Sequence, residues 1–151
     1  MVQIEELSAN EKIPFDLLMI ADPELDSILQ YIENALIFIA EWETNLVGCI
    51  VLGEMNSKKA EIKNIAVGEK FQNRGIGKLL ISHAIQTAKS LGKKQLIISP
   101  ADTSTGPLYL YKKMGFKIVE TEKDYFPKHY KNPIFEDGIQ CVDRIVLGVM
   151  L

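Results

Sequence analysis

Between Ala60 and Ser99 the hydrophobic pattern changes period twice, and no other feature of the chain restricts its fold as much. Ala60 to Val67 reads as a strand. From Gly75 the period is helical, with Ile76, Leu79, Leu80, His83, Ala84, Ala88 and Leu91 on one stripe and Lys78, Ser82, Gln86 and Lys89 on the other. Gly92 is a natural C-terminal stop, and Gln95 to Ser99 returns as a short apolar strand. Strand, helix and strand in succession form a crossover unit, which sets the two strands parallel in one sheet.

Around this unit the pattern is antiparallel. Val2 to Leu7 alternates apolar and polar residues as a first strand. Pro14 and Pro23 sit where helices begin, and Leu25, Ile28, Leu29 and Ile32 share one helical face. Two strands follow, Ala35 to Trp42 and Leu46 to Met55, with Glu43 to Asn45 as their hairpin loop. Ser104 to Met114 reads as a helix ending at Gly115, and Phe116 to Glu122 as a strand. A polar, aromatic loop from Asp124 to Gln140 leads to a closing strand, Cys141 to Leu147. The order β-α-β-β-β-α-β-α-β-β predicts an α+β fold, a mixed sheet with helices on its faces, as one domain over residues 1–151 without repeat or linker.

Composition narrows the function. A net charge of -3 gives no basic field for nucleic acid or an anionic membrane surface, which points to a small-molecule or peptide partner. No stretch reaches the ~18 uninterrupted apolar residues of a membrane span, and the first residues lack a basic segment followed by an apolar one. A soluble, cytoplasmic protein is expected. With two cysteines, Cys49 inside an apolar run, a disulfide framework is not expected.

The turn QNRGIGK, between the strand and the helix, admits three readings. A dinucleotide loop would need a third glycine where Leu80 stands, and a P-loop would need a glycine five residues before Gly77. The third is a different pyrophosphate cradle, in which backbone N–H groups from Asn73 to Lys78 converge on an anion at the positive end of the helix dipole.

Gln72-Asn73-Arg74-Gly75-Ile76-Gly77 matches the (Q/R)xxGx(G/A) signature of the GNAT superfamily of N-acetyltransferases, between a long strand and a helix. Ile62 to Val67 looks like that family's fourth strand, and Leu108 to Phe116 like its closing helix with a Tyr, three residues and Gly-Phe. The chain thus resembles this superfamily. The resemblance implies a twisted, mostly antiparallel sheet splayed between its fourth and fifth strands, with helices on its faces. It also implies acetyl-coenzyme A as donor, bound by Gln72, Asn73, Arg74, Gly75, Ile76, Gly77 and Lys78, with no metal. The pantetheine arm would pair with the main chain of Ile65, Ala66 and Val67, much as an added strand pairs with an edge. A backbone N–H there would stabilise the oxyanion when an amine attacks the thioester. Ser104 stands where many members carry an Asn that contacts the coenzyme.

For catalysis the resemblance gives Tyr111, four residues before Gly115, the role of acid toward the departing thiolate, with a place beside the donor. Glu61, eleven residues before Gln72, is the candidate base, with Asp102 and Asp124 as substitutes. His83 lies on the apolar stripe and reads as a core histidine; His129 reads as a loop residue. The acceptor is expected to be a primary amine of a small molecule or peptide. Tyr125, Phe126, Tyr130 and Phe135 with Glu136 and Asp137 suit a cationic amine, and Asp16, Asp22, Glu24 and Asp26 suggest an acidic rim on the early helices. A homodimer using the late strand as an edge is also implied. The competing function is a coenzyme A-binding regulatory module with little turnover.

Overall fold

A computed structural model describes residues 1–151. In chain order the elements are β1 (Gln3–Glu6), α1 (Phe15–Ala21), α2 (Leu25–Ile32), β2 (Leu36–Trp42), β3 (Asn45–Glu54), β4 (Lys59–Val67), α3 (Ile76–Ser90), β5 (Gln95–Ile98), α4 (Thr105–Lys113), β6 (Lys117–Glu122), α5 (Tyr125–His129), β7 (Phe135–Glu136), β8 (Ile139–Gln140) and β9 (Arg144–Met150). Seven strands form one sheet in the order β1-β2-β3-β4-β5-β9-β6, and β7 and β8 form a separate hairpin. The crossover does what its period requires: β4 and β5 are parallel, and every other pairing in the large sheet is antiparallel.

The β4–β5 pairing is short, running from Lys59 opposite Gln95 to Ile62 opposite Ile98. Beyond it β5 ends and β4 continues, so Lys63 to Val67 keep β3 on one side and no strand on the other. This is the splay, and it opens a strand edge in the middle of the sheet. On β4, Lys63 is an extra residue: Val51 faces Asn64 while Leu52 faces Ile62. The bulge resets the alternation of faces. Ala60 and Ile62 join the larger core with Leu80, Ile81, Ala84 and Ala88 of α3, whereas Ala66 joins the smaller core with Leu18 of α1 and Ile28 and Ile32 of α2.

Three sequence expectations need correction. The closing strand starts at Arg144, because Cys141 donates its N–H to Ile134 and the Val142 carbonyl accepts from Phe126, which commits both residues to the preceding segment. That strand is interior, between β5 and β6, and therefore not an edge for a second copy; the sheet's edges are β1 and β6. Part of each helical stripe faces outward: Leu25, Leu29, Leu79 and Leu91 are about half exposed while Ile81, outside the stripe, is fully buried. A helix lying on a sheet buries one narrow line of side chains, and the flanking apolar positions stay at its margin.

Candidate active site

The loop before α3 is built to leave its donors free. Glu69–Phe71 forms a single 3-10 turn, after which Asn73 and Gly75 take positive φ of 63° and 83°. None of the backbone N–H groups from Gln72 to Lys78 donates to an acceptor within the chain; Leu79 is the first to do so, to Gly75 at 3.2 Å. α3 has no side-chain cap at its N-terminus. A row of free donors at a positive helix end is an anion site in chemical terms. The glycines keep it accessible. A Cβ on Gly75 would meet nothing within 4 Å, and one on Gly77 only Leu110 at 3.9 Å, so the space beside both glycines is open. Gly75 also needs its positive φ, whereas Gly77 is helical and owes nothing to backbone strain.

Neighbouring side chains steady this loop. The Gln72 amide donates to the Val67 carbonyl at 3.1 Å, tying the turn to the end of β4. The Arg74 guanidinium lies over Trp42 and Phe71, at 5.8 and 5.7 Å from the ring centroids. Lys78 is exposed on the first turn of α3, and Ile76 is buried beneath it. The Gly68 N–H donates to Val47 at 2.8 Å, so by alternation Ala66 turns its main chain to β3, and Ile65 and Val67 turn theirs to the open side. These residues fit a phosphate-bearing, amide-carrying ligand: free N–H groups for the anion, and an unpaired strand edge for the amides.

Tyr111 lies on α4, 5% exposed, against Phe116. Burial first, and then the negative charge of Glu136, push its phenol well above the ordinary tyrosine value. No hydrogen bond acts on its hydroxyl. Ser104 is the residue before α4, and its hydroxyl donates to the Glu136 carboxylate at 2.7 and 3.0 Å. A contact from Ser104 to the donor would therefore use its oxygen as acceptor.

Glu61 faces the α1 and α2 side of β4 and is 8% exposed, paired with Lys63 Nζ at 2.6 Å. The bulge that turns Lys63 to that side creates the pair. Of the substitutes, Asp102 accepts the Val142 N–H at 3.3 Å, and Asp124 is exposed at the head of α5. His83 sits edge-on to Phe38 at 4.5 Å as a core-side residue, and His129 stacks on Tyr125 at 4.1 Å in the open.

The acceptor side differs from the sequence expectation. Asp22 is no open rim carboxylate: it is buried, and it accepts from Ser27 at 2.7 Å, Tyr31 at 3.2 Å and Tyr130 at 3.1 Å. Asn64 on β4 joins this network, donating to the Leu18 carbonyl and the Tyr31 hydroxyl, both at 3.0 Å, while its own Oδ1 is buried without a partner. Burial is the first cause raising Tyr31, and it pushes Tyr130 up to about 12. The segment after β6 is thereby stapled at two ends, by Tyr130 to α1 and α2 and by Glu136 to the head of α4. Sequence patterns gave no signal of either staple, since Tyr130 and Asp22 lie 108 residues apart.

Known proteins resemble the chain over most of its length. Residues 4–116 match the acetyltransferase (GNAT) family. An uncharacterized N-acetyltransferase of Bacillus subtilis, YvbK, is 41% identical over 133 residues, 88% of this chain and 86% of that protein. A GNAT family acetyltransferase from Elizabethkingia anophelis, crystallised with acetyl-CoA bound, superposes with a TM-score of 0.96 at 43% identity, covering 99% of this chain and 98% of its own. An IAA acetyltransferase from Bacillus cereus superposes at 0.95 with 42% identity over the whole of both chains. No helix here is long and apolar enough to cross a membrane.

Proposed function

This chain belongs to the acetyltransferase (GNAT) family, with acetyl-CoA as its donor, and on that premise we propose that, as one domain over 1–151, it moves the acetyl group directly to a primary amine of a small molecule or peptide. The observation that carries the reading is the run of free N–H groups from Gln72 to Lys78, continuous with the open edge of β4. In this reading the loop holds the pyrophosphate, and Ile65 and Val67 present main-chain groups to the arm; Ala66, which the resemblance grouped with them, is committed to β3 and drops out of the donor contacts. The N–H groups of that edge also stabilise the carbonyl oxygen as negative charge builds on it.

The neutral amine attacks the acetyl carbon, a C–N bond forms and the C–S bond breaks. Glu61, through a water and after releasing Lys63, takes the proton lost by nitrogen; Tyr111 supplies one to sulfur. A phenol held above its ordinary value is a neutral donor at any working pH, and it gives up its proton only as the thiolate forms against it. Direct transfer is favoured over an acetyl-enzyme because neither thiol is a ready nucleophile. Cys49 is fully buried with its thiol pushed up to about 12, and Cys141 is buried beside Thr103 with its thiol raised. A homodimer, where it forms, has the open edge at β6 to use.

The test is coenzyme A thiol release from acetyl-CoA across a panel of primary amines, with the acetylated product confirmed by mass. Amine-dependent release supports an enzyme. Tight acetyl-CoA binding with no release from any amine would favour the regulatory module.

A further inference from the structure

Glu136 is a half-buried carboxylate with no cation beside it. It stands in none of the ion pairs, which use Glu54, Glu61, Glu122 and Asp143. Its oxygens accept from Ser104 Oγ at 2.7 and 3.0 Å and from Thr103 Oγ1 at 3.3 Å. A carboxylate offers about four acceptor positions, so these hydroxyls leave room for another donor. The titratable groups facing it are Tyr111 on α4 and the Cys141 thiol before β9, with Asp102 beyond that thiol; none of them is a cation.

Helix geometry sets this carboxylate next to the reacting centre. Ser104 and Tyr111 are seven residues apart, two turns along one face of α4, and helical side chains lean toward the N-terminus. Tyr111 thus reaches back toward the end where Glu136 is held; the residue is 5% exposed and no hydrogen bond acts on its hydroxyl. A half-buried carboxylate without countercharge and a phenol without an acceptor thus lie within electrostatic reach of each other at the head of α4. A ligand that brings a cation with N–H groups completes the first, and the leaving sulfur completes the second.

We propose that Glu136 recognises the acceptor by binding its amine as the ammonium ion beside Tyr111, so that the enzyme selects amines that arrive charged. This rests on the acetyl-transfer reading above. The ammonium first gives one proton through the base's water to solvent; the neutral nitrogen then attacks, and its second proton goes to Glu61 as the amide forms. Glu136 determines which amine docks; it forms no covalent bond.

Glu136→Gln tests this, since it keeps an oxygen for Ser104 and Thr103 and removes only the charge. The probes are tyramine, 1,4-diaminobutane and glycinamide, each with acetyl-CoA. Losing a charged hydrogen bond predicts a rise of about tenfold or more in the amine KM, with kcat and the acetyl-CoA KM within about twofold. The wild-type advantage in kcat/KM should be largest where the amine is protonated and fade as it deprotonates, which for an α-amino group falls near pH ~8. Glu136→Asp should recover part of the loss, and it replaces Glu136→Gln if that variant melts early. A loss that resides in kcat, or one that is the same at every pH, overturns the role. No thiol release from wild-type enzyme with any of the three amines would instead overturn the amine-acceptor reading; active wild type with an unchanged amine KM in Glu136→Gln removes Glu136 alone.

Discussion

The loop from Gln72 to Lys78 and the segment from Asp124 to Asp143, which the proposed reading assigns to donor and amine, are made by opposite means. The first works through its main chain: free N–H groups, two positive φ angles and glycines without side chains in the way. The second works through side chains that reach distant elements, Tyr130 to Asp22 and Glu136 to Ser104. A phosphate anion is the same in every donor molecule, so a fixed backbone cradle suits it. Amines differ in shape and charge, and a segment held by a few side-chain hydrogen bonds can be altered residue by residue without disturbing the sheet. Damage to the first region should therefore appear in donor binding, and damage to the second in amine binding.

The largest effect is expected at Gly77. A Cβ at Gly77 meets only Leu110 at 3.9 Å, so the fold should survive Gly77→Val, while on the proposed reading the added methyl groups crowd the anion's approach to the free N–H groups. Losing two charge-assisted hydrogen bonds corresponds to a Kd for acetyl-CoA raised roughly a hundredfold or more, read by calorimetry. An unchanged Kd would remove the cradle assignment. Next is Tyr111→Phe, where kcat should fall by about 10²-fold while acetyl-CoA affinity stays put. Equal turnover would take the acid role from Tyr111. On the other region, Tyr130→Phe removes the bond to Asp22 and should cost about 1 kcal/mol of stability and raise the amine KM several-fold, leaving the donor KM alone. A donor effect equal to the amine effect would erase the contrast between the two regions.

The smallest prediction concerns alkaline stability. Tyr31, Tyr111 and Tyr130 are raised above 10.0, and Cys49 is raised above 9.0. Below about pH 9 both folded and unfolded chains hold these protons, and stability does not depend on them. As pH climbs toward about 12 the unfolded chain releases its protons first, so stability should fall, and the fall should be shallower in Tyr130→Phe. A flat denaturation midpoint between pH 9 and 11 would contradict the burial of these hydroxyls.

The same contrast explains how far the sequence could be read. The elements around the candidate cradle were legible because their signal is contiguous: a strand, two glycines one residue apart and a helix, followed by the parallel return at Gln95. The hairpin between β2 and β3 was legible for the same reason, although Glu43 and Thr44 adopt positive φ without glycine. The closing strand was misplaced by three residues because Cys141 and Val142 look like strand residues but are bonded to the preceding segment, while Gly148, which resembles an end, is interior. α5, the β7–β8 hairpin and the Asp22–Tyr130 staple carry no periodicity. Their order comes from partners far along the chain, and a linear pattern cannot contain that. Glu61 shows a middle case: its strand was readable, but the bulge that brings Lys63 onto its carboxylate was not.

If the two regions act on one bond at once, donor and amine must be bound together. Initial rates measured with both acetyl-CoA and the amine varied should then give lines that intersect in double-reciprocal form, as a ternary complex requires. Parallel lines would mean that coenzyme A leaves before the amine enters, an acetyl-enzyme would be needed, and direct transfer between the cradle and the stapled segment would be wrong.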